Sequence, residues 1–249
     1  MIEKKLGLSR TDILAGKTLE ISPGEFDPYI LRINQHEPIQ YILGEARFYR
    51  SVFKVNSSVL IPRPETELLV DEICRFARQD IPPKKILDVG TGSGCIAISL
   101  ALELPETSVH ALDISERALT CAAENAAHLE AQVSFSKVDI LMEDMPDMYD
   151  LIVSNPPYIT AAEKQVMNKN VLEFEPHQAL FAPGTDPLIF YRAIGEKARK
   201  SLSSGGSLWF EINEHYGVEL KILMEVLGYQ QVQIIKDLDN KDRILKARL

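Results

Sequence analysis

From Lys84 onward, the sequence alternates short apolar segments of strand length with longer segments whose apolar residues recur at helical spacing. Helical crossovers between successive strands require those strands to be parallel, whereas the loop between the last two is too short for a crossover and makes them antiparallel. The predicted fold is α/β, a doubly wound, mainly parallel sheet of seven strands with an antiparallel C-terminal hairpin. The predicted strands are Lys84–Val89, Ser108–Asp113, Val133–Val138, Tyr149–Ser154, Ser207–Ile212, Tyr229–Lys236 and Arg243–Arg248.

Cap residues mark the helices that are predicted between these strands. Ser115 is an N-cap residue, and Asp186 followed by Pro187 is an N-cap with proline at the first helical position. Glycines end the last two helices, at Gly205-Gly206 and at Gly228. The predicted spans are a helix that follows the turn after Val89 and ends at Glu103, then Ser115–Leu129, Asp186–Leu202 and His215–Leu227.

The chain before the alternating region is predicted to form two smaller units. Residues 1–37 form a short helical N-terminal lobe, because Phe26, Tyr29, Ile30 and Ile33 fall at helical spacing. Residues 38–82 contain a β-hairpin and a linker helix, and residues 83–249 form the main domain. The hairpin is predicted over Phe48–Val55 and the linker helix over Glu65–Arg78.

Composition and charge argue against several classes of protein. The 249 residues, 45% of them hydrophobic, suffice for one good-sized domain with a small appendage. The net charge of −9, without a block of lysine and arginine, argues against nucleic acid as a partner. Cys74, Cys95 and Cys121 lack metal or disulfide spacing, so we expect no metal site and a reducing, cytoplasmic location. No signal peptide and no membrane-spanning apolar run are expected.

The segment Asn155-Pro156-Pro157-Tyr158 directly follows a predicted strand. It therefore lies at the carboxyl edge of the sheet, where open α/β sheets bind ligands. The prolines make the backbone rigid and offer carbonyl oxygens without N–H groups, while Asn155 adds an amide oxygen and Tyr158 an aromatic face. Such a rigid pair of acceptors suits a planar NH2 group, as in an amide or the exocyclic amine of a base. A surface turn is the alternative interpretation of these four residues alone.

A glycine-rich turn follows the first strand of the alternating region. Its residues Gly90, Thr91, Gly92, Ser93 and Gly94 permit positive φ angles and close approach of a ligand to the backbone. The spacing is GxGxG, with a cysteine where the dinucleotide fingerprint GxGxxG has its third glycine. A ligand without a pyrophosphate is therefore preferred.

Acidic residues end the next two strands. Asp113 can accept both hydroxyls of a ribose, and Asp139, which is followed by Ile140, can accept an adenine amino group. Adenosine without a phosphate, held beside a rigid acceptor pair, points to S-adenosylmethionine, with the acceptors holding the nitrogen that receives the methyl group. The alternatives are an N-cap role for Asp113, in competition with Ser115, and a solvated loop position for Asp139.

Beyond these residues, several longer segments resemble one family, the N5-glutamine methyltransferases of peptide chain release factors. The resemblance extends from Pro38 to the C-terminus and implies the class I S-adenosylmethionine-dependent methyltransferase fold. The combination of Asn-Pro-Pro-Tyr with Ile-Pro-Arg-Pro-Glu-Thr-Glu is its most specific part. The matching segments are Pro38-Ile-Gln-Tyr-Ile-Leu-Gly44, Phe53-Lys-Val-Asn56, Ile61-Pro-Arg-Pro-Glu-Thr-Glu67, Asn155-Pro-Pro-Tyr158, Phe174-Glu-Pro176 and Ala179-Leu180.

The resemblance implies roles for individual residues. The catalytic residues are expected to be Asn155, Pro156 and Tyr158, and the substrate is expected to be the glutamine of a Gly-Gly-Gln loop in a release factor, bound by a monomer. Two departures from the family are a short segment before Pro38 and Asn213, which stands where glycine is expected. The expected cofactor-binding residues are Gly90, Thr91, Gly92, Ser93, Gly94, Asp113, Asp139, Ile140 and Asn155, and the substrate-binding residues are Asn155, Pro156, Pro157 and Tyr158.

Three other functions remain as alternatives. A glutamine methyltransferase of a ribosomal protein would use the same chemistry, and an adenine-N6 nucleic-acid methyltransferase shares Asn-Pro-Pro-Tyr. A cofactor-binding module without catalysis is the third. Of the remaining candidates, His177 is interpreted as a loop residue and Trp209 as core, while Arg63 either lines the substrate entrance or pairs with Glu65.

Overall fold

The computed structural model describes residues 5–17, 22–79, 82–160, 164 and 168–249. A two-stranded sheet near the N-terminus precedes a seven-stranded mixed sheet. The strands are β1 Glu45–Phe48, β2 Ser51–Lys54, β3 Lys85–Val89, β4 Ser108–Asp113, β5 Val133–Lys137, β6 Tyr149–Ser154, β7 Leu202–Glu211, β8 Gln230–Lys236 and β9 Asp242–Arg248. The helices are α1 Arg10–Leu14, α2 Asp27–Asn34, α3 Ile39–Leu43, α4 Pro64–Gln79, α5 Cys95–Glu103, α6 Glu116–His128, α7 Lys169–Phe174, α8 His177–Leu180, α9 Ile189–Ser201 and α10 Gly217–Val226.

The order of the strands in the large sheet is β5-β4-β3-β6-β7-β9-β8. Strands β3 to β7 pair in parallel, and β9 is antiparallel to both of its neighbours, β7 and β8. The chain moves outward from β3 on one side and from β6 on the other, so the strand order reverses between these two neighbours. This confirms the predicted doubly wound sheet with its antiparallel hairpin and places a topological switch point between β3 and β6.

Two hydrophobic cores cover the two faces of the sheet. Successive residues of β6 pack into different cores: Leu151 and Val153 belong to one cluster and Ile152 to the other. The first core is covered mainly by α4 and α5, and the second by α9 and α10. Trp209 is 1% exposed within the first core, as expected from the sequence.

Two predicted boundaries near the sheet are wrong. The β-hairpin begins at Glu45, before the predicted Phe48, because Ala46 and Phe48 are buried on either side of the exposed Arg47. Strand β7 begins at Leu202, within the predicted helix, and passes through Gly205-Gly206. A Cβ at Gly206 would lie 2.9 Å from the carbonyl oxygen of Ser203, so the glycine pair accommodates a close backbone contact within a strand and does not end the helix.

Two helix starts also differ from the prediction. Helix α9 begins at Ile189, and Asp186 accepts a hydrogen bond from the amide of Leu188 in the turn before it. Helix α10 begins at Gly217, two residues after the predicted His215, while Gly228 follows its end with φ 88° as expected. In both cases a local turn precedes the helix, so the preferences of cap residues alone do not give the position at which the helix starts.

The described part of the N-terminal region is small and mostly exposed. Helix α2 forms where the helical spacing predicts one, but none of its residues is buried and Leu31 is 60% exposed. The following segment is anchored to the main domain, because Tyr41, Val59 and Ile61 pack with residues of α6. The division of the chain at residues 37 and 82 stays a prediction. Within the described residues, no helix combines the length and apolar character needed to cross a bilayer.

Candidate active site

A cavity of about 640 Å³ lies at the carboxyl edge of the sheet, at the switch point between β3 and β6. Its size is within the range of small-molecule sites. We call Gly90, Gly92 and Asp113 the glycine wall, and Asn155, Pro156 and Pro157 the proline wall; all six line the cavity. Asp139 and Ile140 line it as well. Thr91, Ser93, Gly94 and Tyr158, which the sequence also predicts for the site, are not among its lining residues.

The glycine wall leaves open space beside its backbone. Gly90 and Gly92 have φ values of 77° and 56°, and a Cβ added to either would meet no atom within 4 Å. Their amides and that of Thr91 donate inside the protein: Gly90 and Thr91 to the carbonyl oxygen of Leu112, and Gly92 to Asp113 Oδ2. Because these N–H groups are already used, the turn is not an anion-binding nest, which agrees with a ligand that lacks a pyrophosphate.

Gly94 has a different role from the other two glycines. A Cβ at Gly94 would lie 2.8 Å from Ile98 Cδ1 and 3.1 Å from the Cβ of Ala122. This glycine therefore allows α5 to pack closely on α6. Ser93 is also buried, and its carbonyl oxygen accepts a hydrogen bond from Asn125 Nδ2 at 2.9 Å.

A buried carboxyl group lies behind the glycine wall. Asp88 is fully buried at the end of β3, and Thr91 Oγ1 donates to its Oδ2 at 2.7 Å. Its Oδ1 has no hydrogen-bond partner among the described residues. Burial raises the pKa of Asp88 to about 7, against the lowering effect of the Thr91 hydrogen bond. The sequence analysis predicted no role for Asp88.

Asp113 lies on the cavity wall with both oxygens oriented by the backbone. Oδ2 accepts from the amide of Gly92 and Oδ1 from the amide of Ser115, each at 2.9 Å. Burial raises its pKa, and the three backbone hydrogen bonds to it oppose that rise. Ser115 is the N-cap of α6, since its hydroxyl accepts from the amide of Ala118. The alternative in which Asp113 caps this helix is therefore wrong.

Asp139 and Ile140 form the end of the cavity beyond β5. Asp139 Oδ1 accepts from the amide of Leu141 at 2.9 Å, and its own amide donates to Glu143. These bonds fix the loop locally and keep the Asp139 side chain at the cavity. A contact between Asp139 and a bound cofactor stays a prediction.

The proline wall continues directly from β6. Ser154 Oγ donates to the carbonyl oxygen of Val89 at 2.6 Å, which ties the ends of β6 and β3 together. Asn155 Nδ2 donates to Thr66 Oγ1 at 3.3 Å. Tyr158 lies behind the wall, where its ring packs against the second core, and burial raises its pKa above the usual range.

A second buried carboxyl group lies behind the proline wall. Glu211, 2% exposed at the end of β7, accepts a hydrogen bond from the hydroxyl of Thr66, while its Oε2 has no hydrogen-bond partner among the described residues. Burial raises its pKa to about 7. The sequence reasoning missed Glu211, although the rule that selected Asp113 and Asp139, an acidic residue at a strand's carboxyl end, applies to it equally.

The open question about Arg63 is answered by its partner. Arg63 Nη2 lies 2.6 Å from Glu175 Oε1, and the other carboxylate oxygen accepts from the amide of Ile61. The ion pair with Glu65 is thus wrong, and Arg63 instead joins the segment before α4 to the segment before α8. A position of Arg63 at the substrate entrance stays a prediction. His177 is the first residue of the short helix α8, so its prediction as a loop residue is wrong, and its Nε2 is hydrogen-bonded to the carbonyl oxygen of Leu172.

Comparisons with known structures agree with this fold. The chain is similar to a methyltransferase from Pyrococcus furiosus, with a TM-score of 0.59 and 18% identity over 90% of this chain and 98% of that one. A 16S rRNA methyltransferase from T. thermophilus, solved in complex with AdoMet and guanosine, also gives a TM-score of 0.59, with 18% identity over 82% of this chain and 49% of its own. The fold is that of the class I methyltransferases.

Comparisons of sequence identify the family. Residues 64–186 match the family model described as methyltransferase small domain. A release factor glutamine methyltransferase of Bacteroides thetaiotaomicron is 48% identical over 97% of this chain and 88% of its own length. One of Flavobacterium psychrophilum is 44% identical over 96% and 86%. The chain belongs to the release factor glutamine methyltransferase family.

Proposed function

We propose that this protein transfers a methyl group from S-adenosylmethionine to the side-chain amide nitrogen, N5, of the glutamine in the Gly-Gly-Gln motif of a peptide chain release factor. The observation that carries the proposal is the position of Asn155 and Pro156, a rigid pair of acceptors, on the same cavity as the glycine wall. The family membership supports the assignment of a release factor as the substrate.

The residues of the cavity fit S-adenosylmethionine. The open space beside Gly90 and Gly92 admits a ligand against the backbone, and the two oxygens of Asp113 retain lone pairs for ribose hydroxyls. Asp139 and Ile140 are suited to the adenine end. The predicted contributions of Thr91, Ser93 and Gly94 would be made through the shape of the turn. The cofactor supplies an electrophilic methyl group on a sulfonium.

The proline wall activates the acceptor nitrogen. An amide nitrogen is a poor nucleophile because its lone pair is delocalised into the carbonyl group. Asn155 Oδ1 and the carbonyl oxygen of Pro156 each accept one N–H of the glutamine amide, which aims the nitrogen lone pair at the methyl group and stabilises positive charge that builds on nitrogen. Pro157 keeps the segment rigid, and Tyr158 supports it from behind, where it packs against the second core. Positioning of this kind supplies up to roughly 7–11 kcal/mol in favourable cases.

We assign no general base among the described residues that line the cavity. The proton leaves the amide nitrogen for water after methyl transfer, when the product cation is strongly acidic. We further propose that the enzyme acts as a monomer in the cytoplasm on a protein and not on nucleic acid, in line with its net charge of −9.

The test is mass spectrometry of a release factor after incubation with the protein and S-adenosylmethionine. We expect one added methyl group on the intact release factor and, after peptide mapping, its location on the glutamine of Gly-Gly-Gln. A release factor with alanine in place of that glutamine is the matched control and stays unmodified. Methylation of a ribosomal protein, an RNA or a DNA offered in parallel, with the release factor unmodified, would overturn the proposal.

A further inference from the structure

We infer that Thr66 and Glu211 are positioning residues, which hold the Asn155 amide so that its oxygen, and not its nitrogen, faces the cavity. This assignment rests on the proposed function for its catalytic consequence, since an Asn155 turned the other way would offer an NH2 group to the substrate NH2 group. The orientation itself is a property of the free protein.

Three elements bring these side chains together. Ser154 of β6 pairs in parallel with Phe210 of β7, so that Asn155 and Glu211 are the next residues of neighbouring strand ends. Thr66 belongs to the first turn of α4 and is 3% exposed. Its hydroxyl oxygen lies 3.3 Å from Asn155 Nδ2, and its hydroxyl group is hydrogen-bonded to Glu211.

The number of donors decides the orientation of the amide. An ionised carboxylate only accepts hydrogen bonds, and a threonine hydroxyl has a single hydrogen to donate. When Thr66 gives that hydrogen to Glu211, its oxygen can only accept from Asn155, and the group that it accepts from is the Nδ2 amino group. Asn155 Oδ1 is left for the cavity, as methyl transfer to an amide requires.

The burial of the Glu211 carboxyl group lowers the stability of the fold, which indicates a functional role for this residue. It is nearly fully buried, and Oε2 has no hydrogen-bond partner among the described residues. Arg243, the nearby cation of β9, directs Nε and Nη2 to Asp237 at 3.1 and 3.0 Å. A buried charge in such surroundings lowers stability, which is typical of residues kept for function and not for folding.

We call the two hydrogen bonds that connect Glu211 through Thr66 to Asn155 the relay. The protonation state of Glu211 is expected to control the direction of both bonds. A protonated carboxyl group can donate to Thr66, which frees the threonine hydrogen for Asn155 Oδ1 and allows the amide to turn. Activity is therefore expected to rise with pH as Glu211 ionises. The other ionisable groups that interact electrostatically with Glu211 are Arg63, Glu65, Cys95, Tyr158, Tyr191 and Arg243.

The kinetic test compares Thr66→Val, Thr66→Ser and Glu211→Gln. Thr66→Val keeps the shape of the side chain and loses the hydroxyl, so we expect kcat to fall about 10–100-fold, the scale of a misplaced reacting group, with the KM for both substrates nearly unchanged. Thr66→Ser restores the hydroxyl and most of kcat. Glu211→Gln lowers kcat and removes the ionisation from the pH profile. Thr107→Val is the matched control, because its hydroxyl bonds to the carbonyl oxygen of Pro83 away from the cavity.

A measurement on the free protein separates this inference from the proposed function. The side-chain amide protons of Asn155, assigned by their loss in Asn155→Asp, are followed by NMR for exchange with water. We expect exchange about fivefold faster in Thr66→Val than in the wild type, as for the loss of one hydrogen bond, a changed signal in Glu211→Gln, and wild-type behaviour in Thr66→Ser.

The outcomes distinguish the two claims. An Asn155 signal that is unchanged in both Thr66→Val and Glu211→Gln overturns the relay, whatever the enzyme methylates. Should Thr66→Val fail to fold, the Glu211→Gln signal and pH profile decide alone. A changed signal in a protein that leaves release factors unmodified refutes the proposed function and supports the orientation of Asn155.

Discussion

Each wall of the cavity is backed by a buried carboxyl group that bonds to a threonine hydroxyl, but the two pairs are assembled differently. Behind the glycine wall, Thr91 reaches Asp88 within one turn of chain. Behind the proline wall, Thr66 and Glu211 come from positions more than half the chain apart. The first pair is complete once the turn forms, whereas the second exists only after α4 has packed against the end of β7.

The difference suggests a division of work. The glycine wall acts through backbone shape and an oriented carboxylate, Asp113, and is suited to binding. The proline wall presents a side chain, Asn155, whose orientation depends on a tertiary hydrogen bond, and is suited to chemistry. Substitutions in the two walls are therefore expected to affect different kinetic constants.

The largest effect is expected from Asn155→Ala. This change removes one of the two acceptors for the reacting amide, so kcat falls about 10²–10³-fold, as for the loss of one preorganised transition-state contact, while the dissociation constant of S-adenosylmethionine changes little. Turnover and cofactor titration check the two constants separately. Asn168→Ala, at an exposed asparagine whose side chain makes no cap hydrogen bond, is the control. A raised KM for the cofactor as the only effect would contradict the proposed role.

A smaller effect, on stability, is expected within the glycine turn. Gly94→Ala forces a Cβ to 2.8 Å from Ile98 Cδ1 at φ 82°, so we expect a loss of about 2–4 kcal/mol in the free energy of unfolding from overpacking and backbone strain together. Gly92→Ala carries the strain without the contact and loses about 1–2 kcal/mol. Urea unfolding of both variants measures the difference. Equal losses would show that Gly94 is not a packing residue.

The same contrast explains what the sequence could predict. The periodicity of apolar residues reports local burial, which is why the order of the strands and the antiparallel hairpin were predicted correctly. The short helices α3, α7 and α8 are too short for a clear periodicity and were not predicted. Glycines, prolines and acidic residues at strand ends are also local signals, and these located both walls. The start of β7 was misplaced because Gly205-Gly206 is equally compatible with a helix end and with a close contact inside a strand.

What could not be predicted depends on contacts between distant segments. Neither Thr66 nor Glu211 has a local pattern that links it to Asn155, since their meeting requires α4 to begin beside the ends of β6 and β7. The pairing of Arg63 with Glu175 is of the same kind, because Glu65 is nearer in sequence and Glu175 is nearer in space. The position of Tyr158 behind the wall depends on the second core.

An effect of about tenfold is expected from Asp113→Asn on the glycine wall. The neutral amide still accepts from one backbone amide but loses a charge-assisted hydrogen bond to a ribose hydroxyl, so the dissociation constant of S-adenosylmethionine rises about 10-fold or more. At saturating cofactor, kcat stays close to that of the wild type. Calorimetric titration checks the affinity, with Glu116→Gln on the surface as control. A loss confined to kcat would reverse the division of work between the walls.

The last prediction concerns the dependence of stability on pH, to which the two buried carboxyl groups both contribute. The pKa values of Asp88 and Glu211, raised by burial to about 7, exceed the values of about 4 expected in the unfolded chain. Between these values the folded state binds the extra protons, so stability falls as pH rises, by at most about 1.4 kcal/mol per pH unit for each group. Urea unfolding at about pH 5.5 and about pH 6.5 measures the fall.

Substitution of each carboxyl group separates its contribution to stability from its contribution to kcat. Asp88→Asn and Glu211→Gln each remove one of the two contributions, and both are expected to reduce the fall in stability between the two pH values. Only Glu211→Gln is expected to remove the ionisation from the pH profile of kcat, because Glu211 holds Asn155 through Thr66 while Asp88 bonds to Thr91 within its own turn. If Asp88→Asn abolished that ionisation and Glu211→Gln kept it, the titrating group would lie behind the glycine wall, and the chemistry would depend on the wall that we assign to binding.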